Sequence, residues 1–211
     1  MKIIYLYVEN WRLAWNQKKL RIKALAYFSA FIIISVITLP YFKYIELRTG
    51  YQLDDPLLNV IPARDFSKLI FILMYGIAFV NVLFLLKDPT RFIKYLQIYS
   101  FVIFARLFCI LFTPLEAPIG VIPLEDFIIY GKEVITKDLF FSGHVSSLFL
   151  LYMIANNRVL KYINLAITLV VSFLILAQHI HYTVDIVVAP AIVWAIFSIV
   201  TKRQNASATV K

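Results

Sequence analysis

Residues 161–187 read KYINLAITLVVSFLILAQHIHYTVDIV, and this stretch decides the fold class. Its first part, 161–180, is an almost continuous apolar run of ~20 residues, the length that crosses the hydrocarbon core of a bilayer as a helix. The run has no period-two alternation, so it does not fit a strand of a membrane barrel. His179, His181 and Asp185 follow, although such side chains are costly at membrane depth. The stretch therefore predicts a transmembrane helix that ends beside a group of titratable residues.

The rest of the chain repeats the apolar part of this pattern. Hydrophobic residues make up 62% of the sequence, against roughly 45–50% in a soluble domain. The six predicted spans are 22–45, 68–86, 95–113, 139–156, 161–180 and 184–201. We therefore predict an all-α integral membrane protein, a six-transmembrane-helix bundle in which residues 22–201 form one domain.

The charged residues predict how the chain is oriented. Of the 21 basic residues, 14 lie in the N-terminal segment, the tail and the short loops near 87–94 and 158–161. The loops 46–67 and 114–138 instead carry nine acids: Glu46, Asp54, Asp55, Asp65, Glu116, Glu125, Asp126, Glu133 and Asp138. By the positive-inside rule both termini, including the tail 202–211, are cytoplasmic and the acidic loops face outward. The net charge of +9 follows this topogenic pattern, so nucleic acid is not an expected partner.

The first 21 residues form a separate segment. Trp11 and Trp15 stand four residues apart beside a basic face, which predicts an interfacial amphipathic helix over 1–21. A helix packed on the bundle is the alternative, and the sequence leaves both interpretations open.

The predicted topology brings all three histidines to the outer face. His144 begins the fourth span, while His179 and His181 end the fifth and Asp185 begins the sixth. On a helix, His181 and Asp185 share a face at i, i+4. A carboxylate on one imidazole nitrogen fixes the tautomer and leaves the other nitrogen as nucleophile or base. His179 lies six residues from Asp185 and is expected to be a packed neighbour without a chemical role.

Nearby residues suit a phosphate. Ser142 and Gly143 precede His144 at a helix N-terminus, where free N–H groups bind anions. Arg106 lies in the third span, and its planar fork matches phosphate oxygens; the structural alternatives are that it snorkels or that it pairs with Asp185 or Glu116. Asp138 is interpreted as a solvated acid at a helix start.

Two motifs carry a family resemblance. FSGH at 141–144 and HYTVD at 181–185 resemble the motifs of the sphingomyelin synthase family, within the wider type 2 phosphatidic acid phosphatase superfamily. The resemblance implies six spans, cytoplasmic termini and an active site on the outer or lumenal side. It also implies a catalytic triad of His144, His181 and Asp185.

The resemblance extends, more weakly, over most of residues 50–190. RLFCILFTPLEAP at 106–118 and DDPLLNVIPARD at 54–65 are similar to family segments at the end of the third span and in the first outer loop. The chain lacks the Lys–Arg–Pro motif of the phosphatase branch and the Arg before its last histidine, where Ala177-Gln178-His179 stands instead. A site with few positive charges suits a phosphodiester better than a dianionic phosphomonoester.

The implied activity is lipid phosphotransfer without a metal or other cofactor. A phosphocholine or phosphoethanolamine group would move from a glycerophospholipid to ceramide, diacylglycerol or another lipid hydroxyl, through a phosphohistidine on His181. His144 would act as acid and then base. Arg106, Ser142, Gly143 and Tyr182 are the predicted substrate-binding residues. A homo-oligomer is left open, as is the membrane: a bacterial inner membrane, or a Golgi or plasma membrane.

Three alternatives remain at this point. The same triad with water as acceptor would be a lipid phosphatase or a phospholipase C-like hydrolase. The HIH sequence, with His144 and Asp185, would bind a transition metal if the helix is broken there. A non-catalytic scaffold is the third alternative.

Overall fold

The chain folds into α-helices. The computed structural model describes residues 2–124, 128 and 133–209. The helices are α1 (Lys2–Asn16), α2 (Lys18–Leu47), α3 (Ser67–Leu85), α4 (Pro89–Phe112), α5 (Gly143–Ile154), α6 (Arg158–Ala177) and α7 (Thr183–Thr209). The described residues form no β-strand, which confirms the all-α prediction. Glu125, Asp126 and Lys211, used in the charge argument, lie outside the described residues.

Five helices, namely α2, α3, α4, α6 and α7, are long and apolar enough to cross a membrane. They coincide with five of the six predicted spans. Large apolar side chains cover their outer surfaces, as on Val36 of α2 and Phe173 of α6. Because water would not solvate such surfaces favourably, the chain is an integral membrane protein.

The remaining predicted span, 139–156, contains the shorter helix α5. This helix has 12 residues, or about 18 Å of rise. The predicted span begins at residue 139, but the helix begins only at Gly143. Ser142 has an extended backbone and caps the helix, and its Oγ accepts a hydrogen bond from the N–H of Val145. Leu139 and Phe141, in the non-helical segment before α5, are buried in the protein, the setting in which irregular backbone is tolerated at membrane depth. The six-span count therefore stays a prediction.

Helix α5 is the centre of the bundle. It packs against α6, α7, α4 and α3, and seven of its residues are buried, among them His144 and Ser146. Helix α2 lies at the periphery, where it packs on α4 and α1. A core helix thus presents the SGH sequence to the inside of the molecule.

A pair of buried amides joins α3 to α6. Asn81 and Asn164 exchange two hydrogen bonds of 2.9 Å, and Asn164 also donates to Leu151 O of α5. Each amide thereby satisfies the other in an apolar setting. The sequence analysis did not identify this pair.

Helix α1 packs against the end of α3. Trp11 Nε1–H donates to Leu86 O at 2.9 Å, and Asn10 donates to Lys87 O at 3.0 Å. These carbonyls follow the last turn of α3, so α1 caps its C-terminus. The contacts agree with the packed alternative for the N-terminal segment, and the position at a membrane surface remains a prediction.

The loop 48–66 packs with the described parts of the following loop, 113–124 and 133–142, at the opposite end of the bundle, called here the loop end. Tyr51 N–H donates to Pro114 O at 2.8 Å, and Glu116 N–H donates back to Tyr51 O at 2.9 Å. Gly50 allows this approach, because a Cβ there would lie 2.7 Å from the Leu115 carbonyl carbon. The two loops form one layer over α5 and α7.

Candidate active site

The turn before α7 brings His181 onto Asp185. His181 Nδ1 lies 3.1 Å from Asp185 Oδ2, and both residues are buried. Oδ2 also accepts the backbone N–H of Tyr182 at 3.2 Å. His181 precedes α7 rather than lying on it, so an N-terminal turn, not a continuous helix, makes the predicted i, i+4 contact. The carboxylate holds Nδ1 and leaves Nε2 of His181 without a hydrogen-bond partner among the described residues.

Asp185 also connects α7 to the start of α5. Its backbone carbonyl accepts the N–H of Ser142 at 3.3 Å. Its Oδ1 is buried and has no hydrogen-bond partner among the described residues. This places the SGH and HYTVD motifs in direct contact.

His144 faces His181 from the first turn of α5. The two ring centroids lie 6.3 Å apart with an interplanar angle of 68°. His144 is buried, with 6% of its surface exposed. Two imidazoles at this separation can act on a single phosphorus placed between them, one as nucleophile and one as acid.

Arg106 lies next to this pair, on α4. Its Nε–H donates to Phe141 O at 2.9 Å, and it forms a buried ion pair with Asp138. The interpretation of Asp138 as a solvated acid is therefore wrong, since the loop carries this carboxylate inward to 8% exposure. The partner is neither Asp185 nor Glu116, because Glu116 pairs with Lys137 at 2.9 Å.

Gly143 provides the space for the guanidinium. A Cβ at this position would lie 2.7 Å from Arg106 Cζ and 2.9 Å from its Nε. Ser142 uses its hydroxyl as the N-cap of α5. The structure thus brings Arg106, Ser142 and Gly143 together with the triad, while their contact with substrate remains a prediction.

Tyr182 points away from His144, toward the loops. Its hydroxyl donates to Glu116 O at 3.0 Å and accepts from the N–H of Leu53 at 3.2 Å. Burial raises the pKa of this phenol. The side chain fastens both loops to the turn, so its predicted substrate contact has no geometric support.

His179 and Gln178 also hold the loops. The ring nitrogens of His179 lie 2.8 Å from Ile119 O and 2.8 Å from Ile61 O. Gln178 is fully buried; its Oε1 accepts from Phe66 N–H and its Nε2 donates to Ile122 O. His179 is thus a packed neighbour, but one that joins two loops. The sequence analysis assigned no role to Gln178, and the one feature that could have indicated a role is its place as a polar residue at the end of an apolar run.

These contacts bear on the metal alternative. His179 and His181 point to different partners, the loop carbonyls and Asp185 respectively. Within the described ranges, no three His, Cys, Asp or Glu residues are grouped as ligands for a metal ion. The geometry therefore gives that alternative no support.

Asp55 anchors the start of α7 and was not identified as a site residue. Its Oδ2 accepts the backbone N–H of Thr183 at 2.6 Å, and its Oδ1 accepts the hydroxyl at 3.0 Å. Burial opposes ionisation of this carboxyl, but the hydrogen bonds from Thr183 outweigh it and hold the pKa of Asp55 below its usual range. The loop 48–66 thereby fixes the segment that carries His181 and Asp185.

A cavity of about 390 Å³ extends from His144 into the bundle. Its walls are mostly apolar and aromatic, from α2, α3, α4 and α5, and its polar head is formed by Arg106, Asp138, Gly143 and His144. In the described part of the chain α2 packs on α1 and α4 but makes no close packing with α3. The cavity can therefore hold a hydrocarbon chain whose polar end lies at His144.

Comparison with known proteins identifies part of the chain. Residues 137–202 match a family model described as PAP2 superfamily C-terminal, and this range includes His144, His181 and Asp185. No curated protein matches the chain significantly. The match supports the PAP2-related superfamily, whose members are generally phosphatases or phosphotransferases, and hence an enzyme of that broad type.

Proposed function

We propose that this chain is a membrane lipid phosphotransferase. It moves a phosphocholine or phosphoethanolamine group from a glycerophospholipid to the hydroxyl of an acceptor lipid such as ceramide or diacylglycerol. The observation that carries the proposal is the facing pair His144 and His181, of which His144 lines the polar head of an apolar cavity. The family match supports the phosphatase or phosphotransferase class, and the motif resemblance supplies the transferase type.

In the first half of the reaction, His181 is the nucleophile. Because Asp185 holds Nδ1, Nε2 carries the lone pair that attacks phosphorus, and the carboxylate stabilises the positive charge that forms on the ring. His144, initially protonated, gives its proton to the departing diacylglycerol oxygen. The phosphorus–oxygen bond breaks as the phosphorus–nitrogen bond forms.

In the second half, neutral His144 takes the proton from the acceptor hydroxyl, whose oxygen attacks the phosphohistidine. His181 leaves as a neutral imidazole, and both histidines return to their starting states. Arg106 stabilises charge on the phosphoryl oxygens. Since Arg106 is already paired with Asp138, the site has little net positive charge, which suits a phosphodiester with one negative charge.

The test uses purified protein in vesicles with labelled phosphatidylcholine or phosphatidylethanolamine, with and without ceramide or diacylglycerol. Transfer of the labelled headgroup by wild type, and its loss in His181→Ala, is the expected result. Acid-labile phosphate on the wild-type chain would identify the intermediate.

Two outcomes would contradict the proposal. Release of headgroup phosphate to water at the same rate with and without acceptor would assign a hydrolase. Absence of diacylglycerol from either donor would exclude this chemistry. The protein should retain activity in chelator, since the proposed mechanism has no metal-dependent step.

A further inference from the structure

A second large concavity lies at the end of the bundle opposite the histidines. This groove has a volume of about 1080 Å³ and is bordered by α2, α4 and α7. On α4 it includes Lys94, twelve residues before Arg106, which is about 18 Å along the helix axis. The groove is thus separate from the cavity at His144 and plays no part in the proposed reaction.

Basic side chains from three helices line this groove. They are Lys19 and Lys23 of α2, Lys94 of α4 and Arg203 of α7. Among the described residues that line it there is no Asp or Glu. The three lysines come from two helices, and the described lining holds no acid between them, so they create a field that attracts an anion.

The positions of two lysines are constrained. Lys23 and Lys94 are half-buried, and the ammonium of Lys94 lies 4.8 Å from the centroid of the Phe197 ring. Lys19 is exposed at the mouth. The charges therefore extend from the mouth into the groove rather than lying only on its rim.

The groove has apolar walls and uncharged polar groups as well. Ile93, Phe101 and Ile196 lie among the lining residues, and Gln204 Nε2 donates to Gln97 Oε1 at 3.1 Å across it, from α7 to α4. An apolar wall next to half-buried lysines fits an amphiphile better than a soluble anion.

The N-terminus of α2 adds a further positive group. Gln17, its N-cap residue, lines the groove and makes no side-chain cap hydrogen bond. The positive end of the dipole of this 30-residue helix therefore lies beside the groove.

We propose that this groove binds an anionic phospholipid of the adjacent leaflet, with its phosphate between Lys23 and Lys94 and an acyl chain along the apolar wall. The occupant is a lipid because charge and apolar surface occur together in one concavity that opens at membrane depth. The proposal concerns binding only and stands independently of the reaction at His181.

The experiment uses the full chain, purified in mild detergent, and measures bound lipid by native mass spectrometry at rising phosphatidylglycerol concentration. The test variant is Lys23→Gln/Lys94→Gln. The matched control, Arg158→Gln/Lys202→Gln, removes two exposed charges at the same end of the bundle but outside the groove. A Lys23→Arg/Lys94→Arg variant keeps both charges.

We expect the test variant to raise the apparent Kd for phosphatidylglycerol about 10-fold to 30-fold, the effect of two basic residues at an anionic lipid. The control and the arginine variant should bind nearly as wild type does. Equal Kd values in the test and control variants would overturn the proposal, as would equal affinity of wild type for phosphatidylcholine. Full competition by glycerol phosphate would assign a soluble anion instead and would also overturn it.

Discussion

At the scale of single residues, the position of Arg106 depends on Gly143 having no side chain. The guanidinium lies against the backbone of Gly143, donates to Phe141 O and pairs with Asp138. Because these contacts leave the guanidinium little freedom to move, even a methyl group at position 143 would displace its charge relative to His144. The glycine of the SGH motif therefore has a steric role in addition to marking a helix start.

Gly143→Ala should lower headgroup transfer by about 10-fold to 100-fold, because a 1 Å displacement of a charge-stabilising group has effects of that size. The matched control is Gly76→Ala on α3, where a Cβ would meet nothing within 4 Å. The measurement is initial rate per folded protein, with the melting temperature taken in parallel. Equal rates for the two variants would remove the steric role.

Asp185→Asn tests the carboxylate on His181. The amide keeps the shape but offers an N–H where Nδ1 needs an acceptor, so the wrong tautomer becomes favourable. We expect kcat to fall on the order of 10³-fold or more, with a smaller change in KM. Phosphohistidine formation, measured in a single turnover, should fall with kcat. A loss confined to KM would show that Asp185 contributes to binding instead.

At the scale of helices and loops, apolar runs predicted five of the long helices because each is as long as a bilayer is thick. The start of α5 was not predictable in the same way. Leu139, Phe140 and Phe141 are as apolar as the helix that follows, and only Ser142 signals its N-cap. The surrounding protein buries Leu139 and Phe141, so this apolar segment does not need to be helical.

In the candidate site, the local contact was predictable from the sequence and the long-range ion pair was not. The contact between His181 and Asp185 is local and follows from spacing of four residues. The pair between Arg106 and Asp138 joins residues 32 apart, and the path of the loop between them decides which acid arrives. The sequence contains several acids that could pair with Arg106, and it does not indicate which one does.

The amide pair between α3 and α6 should contribute to bundle stability. Asn81→Leu leaves the Asn164 amide without its partner, and we expect a loss of about 1–3 kcal/mol in unfolding free energy. Asn81→Leu/Asn164→Leu should cost less than the sum of the single changes, because neither amide is then unsatisfied. Unfolding by denaturing detergent in mixed micelles measures all three. Additive losses would show that the two amides are not coupled.

Asp55→Ala should loosen the junction between loop 48–66 and α7, at a cost of about 1–2 kcal/mol. Asp54→Ala, the neighbouring exposed acid, is the matched control. Because the pKa of Asp55 is lowered by folding, its ionic contribution is complete above about pH 5. It is lost as the pH falls through the lowered pKa. The difference in melting temperature between wild type and Asp55→Ala should therefore narrow below about pH 4, and a constant difference would contradict the assignment.

At the scale of the whole molecule, the two concavities lie at opposite ends of the bundle and differ in the residues that line them. The loop end holds the histidines above an apolar cavity, while the opposite end holds the basic groove and α1. This polarity parallels the distribution of acidic and basic residues in the sequence. It gives a physical reason for one orientation in the membrane, since basic segments are retained on the cytoplasmic side.

The predicted orientation also bears on whether α5 crosses the membrane. The 12 residues of α5 rise about 18 Å, less than the ~30 Å of a hydrocarbon core, and the segment before the helix bends at Phe140, whose φ is 52°. We predict that α5 crosses the membrane together with the largely buried, non-helical segment 139–142 that precedes it, so the loops before and after it should lie on opposite sides. The chain suits a labelling test, because Cys109 is its one cysteine.

In a Cys109→Ser background, we place single cysteines at Val60, Ile119 and Asn156, each of which is exposed in a loop. A membrane-impermeant maleimide should label Val60→Cys and Ile119→Cys in intact cells, whereas Asn156→Cys should react only after permeabilisation. Transfer activity of each variant confirms that the fold is kept. Labelling of Ile119→Cys and Asn156→Cys from the same side would show that α5 does not cross. The site at His144 would then belong to a bundle of five spans with a re-entrant helix, and both termini could not share one side.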